Sequence, residues 1–145
     1  MDDEGILELF YRAHRKLGEL ESTPRDYGTG ELLYSSDVHT VVAVAGQPGC
    51  SLTQLASTLG VSKPAAYKFA RKLLRMGYLE KEMQADSAKA VSFTLSPRGE
   101  KAVRAHQRFT RNVFGPLQAV EFGLSGSDRR VIRGFLESIL RAASW

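Results

Sequence analysis

The chain has 145 residues, 43% of them hydrophobic and 25% charged, with a net charge of +4 and an isoelectric point near 9.4. That length gives one domain with a real core, and the basic excess fits a polyanionic partner. The acidic start Met1-Asp2-Asp3-Glu4 is the opposite of a signal peptide, no apolar run is long enough to span a bilayer, and the single Cys50 excludes an internal disulfide, so a cytoplasmic protein with no membrane partner is expected.

In chain order, Ile6, Leu7, Phe10, Tyr11, His14 and Leu17 recur on one side of a first helix that is expected to end near Gly18. The stretch 21–30, with Pro24, Gly28 and Gly30, reads as a loop. Asp37 or Ser36 is placed to cap a second helix whose Val38, Val41, Val42 and Val44 are core candidates, and Gly46-Gln47-Pro48-Gly49 stops it. Ser51 then opens a capping box with Gln54, and Leu52, Leu55, Ala56 and Leu59 form one apolar stripe before Gly60.

Ser62 caps the next helix, with Pro64 in its first turn, where a missing N–H costs little. Ala66, Phe69, Ala70, Leu73 and Gly77 form its inward side, while Lys63, Tyr67, Lys68, Arg71, Lys72 and Arg75 are expected on the outward face. No carboxylate lies between Ser62 and Met76. Solvated helices usually mix signs, because i,i+4 pairs of opposite charge stabilise them. Five uncompensated cations repel one another, and a polyanion relieves that repulsion. Two short helices around a glycine turn, the second basic on its open face, describe a DNA-binding helix-turn-helix.

Residues 78–83 and the alternating Val91, Phe93 and Leu95 read as two strands joined by the polar loop 84–89, a β-hairpin wing. Ser96-Pro97 then opens a long helix to about Phe114, where Gly115-Pro116 is expected to interrupt it. Ser125-Gly126-Ser127 leads into a last helix, 128–143, with Val131, Phe135, Leu136, Ile139 and Leu140 on a wide apolar side. The fold expected is mainly α with a small β-hairpin wing. It is a single winged-helix domain over 1–145, with a DNA-binding lobe at about 33–96 and a helical dimerisation region at about 4–20 and 97–143.

The run SLTQLASTLGVSKPAAYKFARKLLRMGYLEKE, followed by the wing and FTLSPRGE, resembles the MarR family of winged-helix transcriptional regulators. The last part is similar to that family's LT-x-x-G junction, with Ser96 in place of Thr. The resemblance implies a homodimer whose terminal helices interlock, and it implies a wing arginine and aspartate at the positions held here by Lys89 and Ser87. Lysine keeps the charge without the planar fork. The apolar stripes at both chain ends call for the same dimer, since they otherwise expose large patches unless they pack on each other within one chain.

In this reading Lys63, Tyr67 and Lys68 read base edges, and Pro64 and Ala65 offer contact to a thymine methyl. Ser62, Arg71 and Arg75 hold phosphates, and Lys89 reaches the minor groove from the wing. The function expected is a sequence-specific DNA-binding transcriptional repressor that occupies a pseudo-palindromic operator as a homodimer and is released by a small-molecule effector. The alternatives are a winged-helix protein-interaction module and a nonspecific DNA-binding architectural protein. An enzyme is not expected, since the chain lacks G-x-S-x-G, P-loop, Rossmann and H-E-x-x-H patterns.

His39 and His106 also match two positions of a metal-sensing branch of the family, and Asp37, Glu21 or Glu31 stands as a further ligand candidate. Thr110 replaces the histidine one turn beyond His106. Zinc normally takes three or four protein ligands, so no metal and no other cofactor is expected, with His39, His106 and Asp37 as the residues to test. Cys50 has no neighbour that would lower its pKa and is expected to be structural.

Overall fold

In the computed structural model, which describes residues 4–83 and 90–144, the two serine caps are formed. Ser51 accepts from the N–H of Gln54 at 3.1 Å, and Gln54 Oε1 accepts from the N–H of Ser51 at 2.9 Å, opening α3 (Leu52–Leu59). Gly60 closes α3 in the left-handed conformation at φ 66°, ψ 33°. Ser62 accepts from the N–H of Ala65 at 3.3 Å and opens α4 (Lys63–Arg75). Ser62→Ala removes that acceptor, and thermal unfolding should record a loss of about 1 kcal/mol.

Before this pair lie α1 (Ile6–Ser22), β1 (Arg25–Asp26), β2 (Leu32–Leu33), α2 (Ser35–Gly46) and β3 (Cys50–Ser51). After it come β4 (Leu79–Met83), β5 (Val91–Leu95), α5 (Pro97–Gly123) and α6 (Gly126–Ala142). The wing strands β4 and β5 pair antiparallel with Glu80 opposite Thr94 and Lys81 opposite Phe93. β3 pairs with the other side of β5, Cys50 opposite Phe93, so the wing is rooted in a three-stranded sheet ordered β3-β5-β4. Two residues are too few to show a period of two, which is why β3, like β1 inside the expected 21–30 loop and β2 just after it, left no pattern in the sequence.

Several boundaries differ from expectation for local reasons. α1 runs through Gly18 to Ser22, because Gly18 keeps helical torsion and the stop comes from Thr23, whose hydroxyl bonds the Glu19 carbonyl at 2.7 Å, and from Pro24 beyond it. α2 starts at Ser35, and Asp37 acts from within its first turn by accepting from the N–H of Tyr34 at 3.0 Å. α5 is not interrupted at Gly115-Pro116 but continues to Gly123. Pro116 removes one i→i−4 bond and its exposed ring faces solvent, so the helix loses one rung without ending there. The last helix begins at Gly126 rather than Asp128, capped by Ser125, which accepts from the N–H of Asp128 at 3.1 Å.

Contacts divide the chain into two compact units, Met1–His106 and Gln107–Trp145. The core of the first is built from Val38, Val41 and Val44 of α2, Leu55 and Ala56 of α3, and Ala66, Ala70 and Leu73 of α4, with Tyr78, Leu79 and Phe93 of the wing root. Val42 is only half-buried. Alanine at 66 and 70 lets α4 approach its neighbours closely, and each large apolar side chain buried contributes roughly 1.5–3 kcal/mol. Cys50 is buried in the same core, and burial pushes its thiol pKa up, the property of an inert structural cysteine. In the second unit Arg129 donates to the Glu121 and Phe122 carbonyls at 3.0 and 3.3 Å, closing the turn between α5 and α6.

A polar lock fixes the root of the wing. The Tyr78 and Thr29 hydroxyls lie 2.5 Å apart, and the Arg98 guanidinium sits 4.7 Å over the Tyr78 ring. Arg98 also donates to the Met76 carbonyl at 2.9 Å and to Glu31 at 2.8 Å. Ser96 accepts from the N–H of Gly99 at 3.1 Å and donates to the Gly77 carbonyl. The start of α5, the end of α4 and the 28–31 turn are thus tied together by hydrogen bonds with long sequence separation.

Candidate nucleic-acid interface

The helix-turn-helix geometry follows from its turn. Val61 donates to the Ala56 carbonyl and Gly60 to that of Ser57, so α3 ends tightly and Ser62 restarts the chain after two residues. With Ala66, Ala70 and Leu73 buried, the helical period of 3.6 sends Lys63, Tyr67, Lys68, Arg71 and Arg75 to solvent, and all five are exposed. Ser62 and Pro64 are exposed beside them at the N-terminus, and Ala65 is half-buried. Among the described residues, no carboxylate forms an ion pair with Lys63, Lys68, Arg71 or Arg75. The positive N-terminal end of α4 and the Ser62 hydroxyl, which keeps its own proton to donate, add to the preference for an anion.

One member of the expected cationic face is elsewhere. Lys72 turns toward α2, where its Nζ meets Asp37 at 2.8 Å. The reason is angular. Lys72 stands at the seam between the buried stripe and the open face, and the buried carboxylate captures it. No local spacing in the sequence signals a pair separated by 35 residues.

Beside this face, α4 and the wing root enclose a cleft of about 690 Å³. Val91, Phe93 and Leu74 supply apolar walls, and Tyr67, Arg71, Arg75 and Lys81 its polar ones. Lys89 and Ser87, the wing-tip positions of the sequence reading, lie outside the described residues, so the described interface rests on α4.

His39 and His106 do come together, with rings edge to face and centroids 5.9 Å apart. The Tyr27 ring also lies against that of His106, tilted, with centroids 5.7 Å apart. Burial, reinforced by the neighbouring His39, pulls the His106 pKa below the ordinary imidazole value. Asp37 is not part of this group, since its carboxylate is taken by the Tyr34 N–H and Lys72. Among the described residues no three His, Cys, Asp or Glu side chains are gathered as a metal would need. Two imidazoles and a phenol do not fit a zinc site of three or four ligands.

Similar proteins agree on the architecture. The model of the IclR helix-turn-helix domain matches residues 43–82, from the end of α2 to β4. Among solved structures, the adhesin competence repressor AdcR of Streptococcus pyogenes superposes with a TM-score of 0.76 at 14% identity, over 96% of this chain and 98% of that one. Lactococcus lactis ZitR in complex with DNA gives 0.75 at 14% identity, over 95% and 97%. Streptococcus pneumoniae FabT in complex with DNA gives 0.69 at 19% identity, over 94% and 93%. ZitR is described as a zinc-responsive member of the MarR family. No curated protein matches the chain in sequence.

Proposed function

We propose that the chain, which shares the winged-helix fold of MarR-type regulators, is a regulator of transcription that binds double-stranded DNA as a homodimer and represses by occupying a pseudo-palindromic operator in the cytoplasm. The observation that carries this reading is the exposed cationic row Lys63, Lys68, Arg71 and Arg75 on the second helix of a helix-turn-helix, which pairs with no carboxylate among the described residues. A protein-interaction face would show apolar anchors instead, and Tyr67 is the one large apolar side chain among these outward α4 residues. ZitR and FabT, which share the fold, have solved structures in complex with DNA, which supports the same partner. No catalytic role is assigned to any residue.

The homodimer rests on surface left uncovered in each unit. α1 buries none of its residues, although Ile6, Leu7, Leu9, Tyr11 and Leu17 are all exposed. α6 likewise buries none, and Val131 and Leu140 are 74% and 69% exposed. Apolar area of this kind is normally covered by a partner, and a second copy is the simplest one with matching faces. A two-fold dimer places its recognition helices about one DNA turn, roughly 34 Å, apart. An effector acts by binding better to a form with the wrong spacing, and the cleft beside Arg71 and Arg75 offers it a concave surface.

The test is retention of random duplexes at several salt concentrations, with sequencing of the retained DNA and light scattering to give the mass of the free protein. Enrichment of half-sites about one turn apart by a particle of two chains, with a steep salt slope, is the expected result. Salt-sensitive retention without enrichment reassigns the chain to nonspecific architecture. No retention reassigns it to protein interaction.

A further inference from the structure

Asp37 is the only carboxylate in the buried set of described residues, with 1% of its surface exposed. It accepts two hydrogen bonds. The one from the Tyr34 N–H is local, closes the first turn of α2, and needs only an oxygen. The one from Lys72 Nζ, at 2.8 Å, crosses from α2 to α4 and depends on charge. Lys72 Nζ also stands 5.5 Å from the centre of the Tyr34 ring, so a second group on the α2 side attracts it.

The position of Lys72 makes this pair consequential. It follows Arg71 directly and lies one helical turn from Lys68, and its side chain is still 41% exposed. A lysine on a flexible four-carbon stem at that seam has the reach to join its neighbours on a phosphate backbone. It is held back instead, by an acid that is itself buried. Losing Lys72 would leave the buried Asp37 carboxylate without compensation, which makes the pair hard to open, whereas the half-exposed Lys72 can turn to solvent once Asp37 is removed.

We infer that Asp37 is a positioning residue for the DNA interface. Its carboxylate pins Lys72 against α2, fixes the rotation of α4 about its own axis, and keeps one cation off the phosphates. This rests on the DNA-binding reading above. A phosphate contact adds affinity for every sequence alike, whereas base contacts discriminate. Withholding Lys72 therefore lowers nonspecific binding, and a fixed α4 presents Lys63, Tyr67 and Lys68 to base edges in one orientation.

The experiment compares the full chain with Asp37→Asn, Lys72→Gln and the double variant on the selected operator and on a scrambled duplex of equal length, across a salt series. Asparagine keeps an acceptor for the Tyr34 N–H, and glutamine keeps a donor for Asp37. For Asp37→Asn, the slope of log affinity against log salt should steepen by about 0.9 per protomer, one added phosphate contact. Its preference for operator over scrambled DNA should fall roughly tenfold, the scale of one base contact. Lys72→Gln should keep the wild-type slope, and the double variant should return to it.

A shallower slope for Lys72→Gln overturns the inference, since Lys72 would then already hold a phosphate. A wild-type slope for a folded Asp37→Asn also overturns it, leaving the pair a stabilising contact alone. If Asp37→Asn does not fold, the slope of Lys72→Gln decides. Wild-type protein that binds neither duplex removes the DNA-binding reading and this inference together, and that outcome is visible before any variant is made.

Discussion

Gly99→Ala should destabilise the fold by about 3 kcal/mol, lowering the melting temperature by roughly 10 °C for a chain of this size. A Cβ at residue 99 would collide with the Tyr78 carbonyl oxygen, and would also crowd the Tyr78 carbonyl carbon at 3.2 Å and Leu95 Cδ2 at 3.3 Å. The carbonyl cannot easily retreat. It accepts the N–H of Ser96 at 3.1 Å, and Tyr78 is held by its buried ring, by Thr29 and by Arg98. Overpacking against backbone forces α5 away from the wing root and strains the Ser96 and Arg98 bonds together. Gly60→Ala is the control. No atom blocks its Cβ, but φ of 66° puts the cost at about 1 kcal/mol of left-handed strain. Thermal unfolding of the two variants separates collision from torsion, and equal shifts would mean that the Tyr78 carbonyl yields.

The same glycine shows how far the sequence could be read. The F-T-L-S-P-R-G run marked a junction, and the serine cap and Pro97 predicted where α5 starts. That Gly99 is required by a carbonyl twenty-one residues upstream in the chain is a tertiary fact with no local trace. The helix-turn-helix was fully legible, because capping boxes, a left-handed glycine and helical periodicity are all short-range signals. The wing was legible as a hairpin and not as a three-stranded sheet, since two-residue strands carry no period.

The interface followed the same division. Periodicity placed Lys63, Tyr67, Lys68, Arg71 and Arg75 on the open face, and the structure has them there. It placed Lys72 with them too, because periodicity assigns a seam residue to whichever face its polarity suggests, and only the position of Asp37 decides otherwise. His39 and His106, singled out by the resemblance to a metal-sensing branch, do lie side by side. Asp37, the acid nearest to His39 in sequence, was not, because both its hydrogen bonds point to the cap and to α4. Helix direction explains that: residues two apart on α2 face different sides.

Replacing Lys68 and Arg71 together by alanine should nearly abolish operator binding and leave the fold intact. Both side chains are exposed and outside the core, so stability should change by no more than about 0.5 kcal/mol. Each charged contact to DNA contributes about 1.5 kcal/mol or more, near tenfold in affinity. A dimer on a palindrome loses two contacts per half-site, giving roughly a 10⁴-fold loss over the operator. The single variants should divide the effect by kind. Arg71→Ala should weaken binding to all duplexes alike and make the salt slope shallower by about 0.9 per protomer, as a phosphate contact does. Lys68→Ala should weaken the operator more than scrambled DNA, as a base contact does. Quantitative band shifts on both duplexes would check this. A double variant that binds as tightly as wild type would take α4 out of the interface, and with it the reading built on its uncompensated charge.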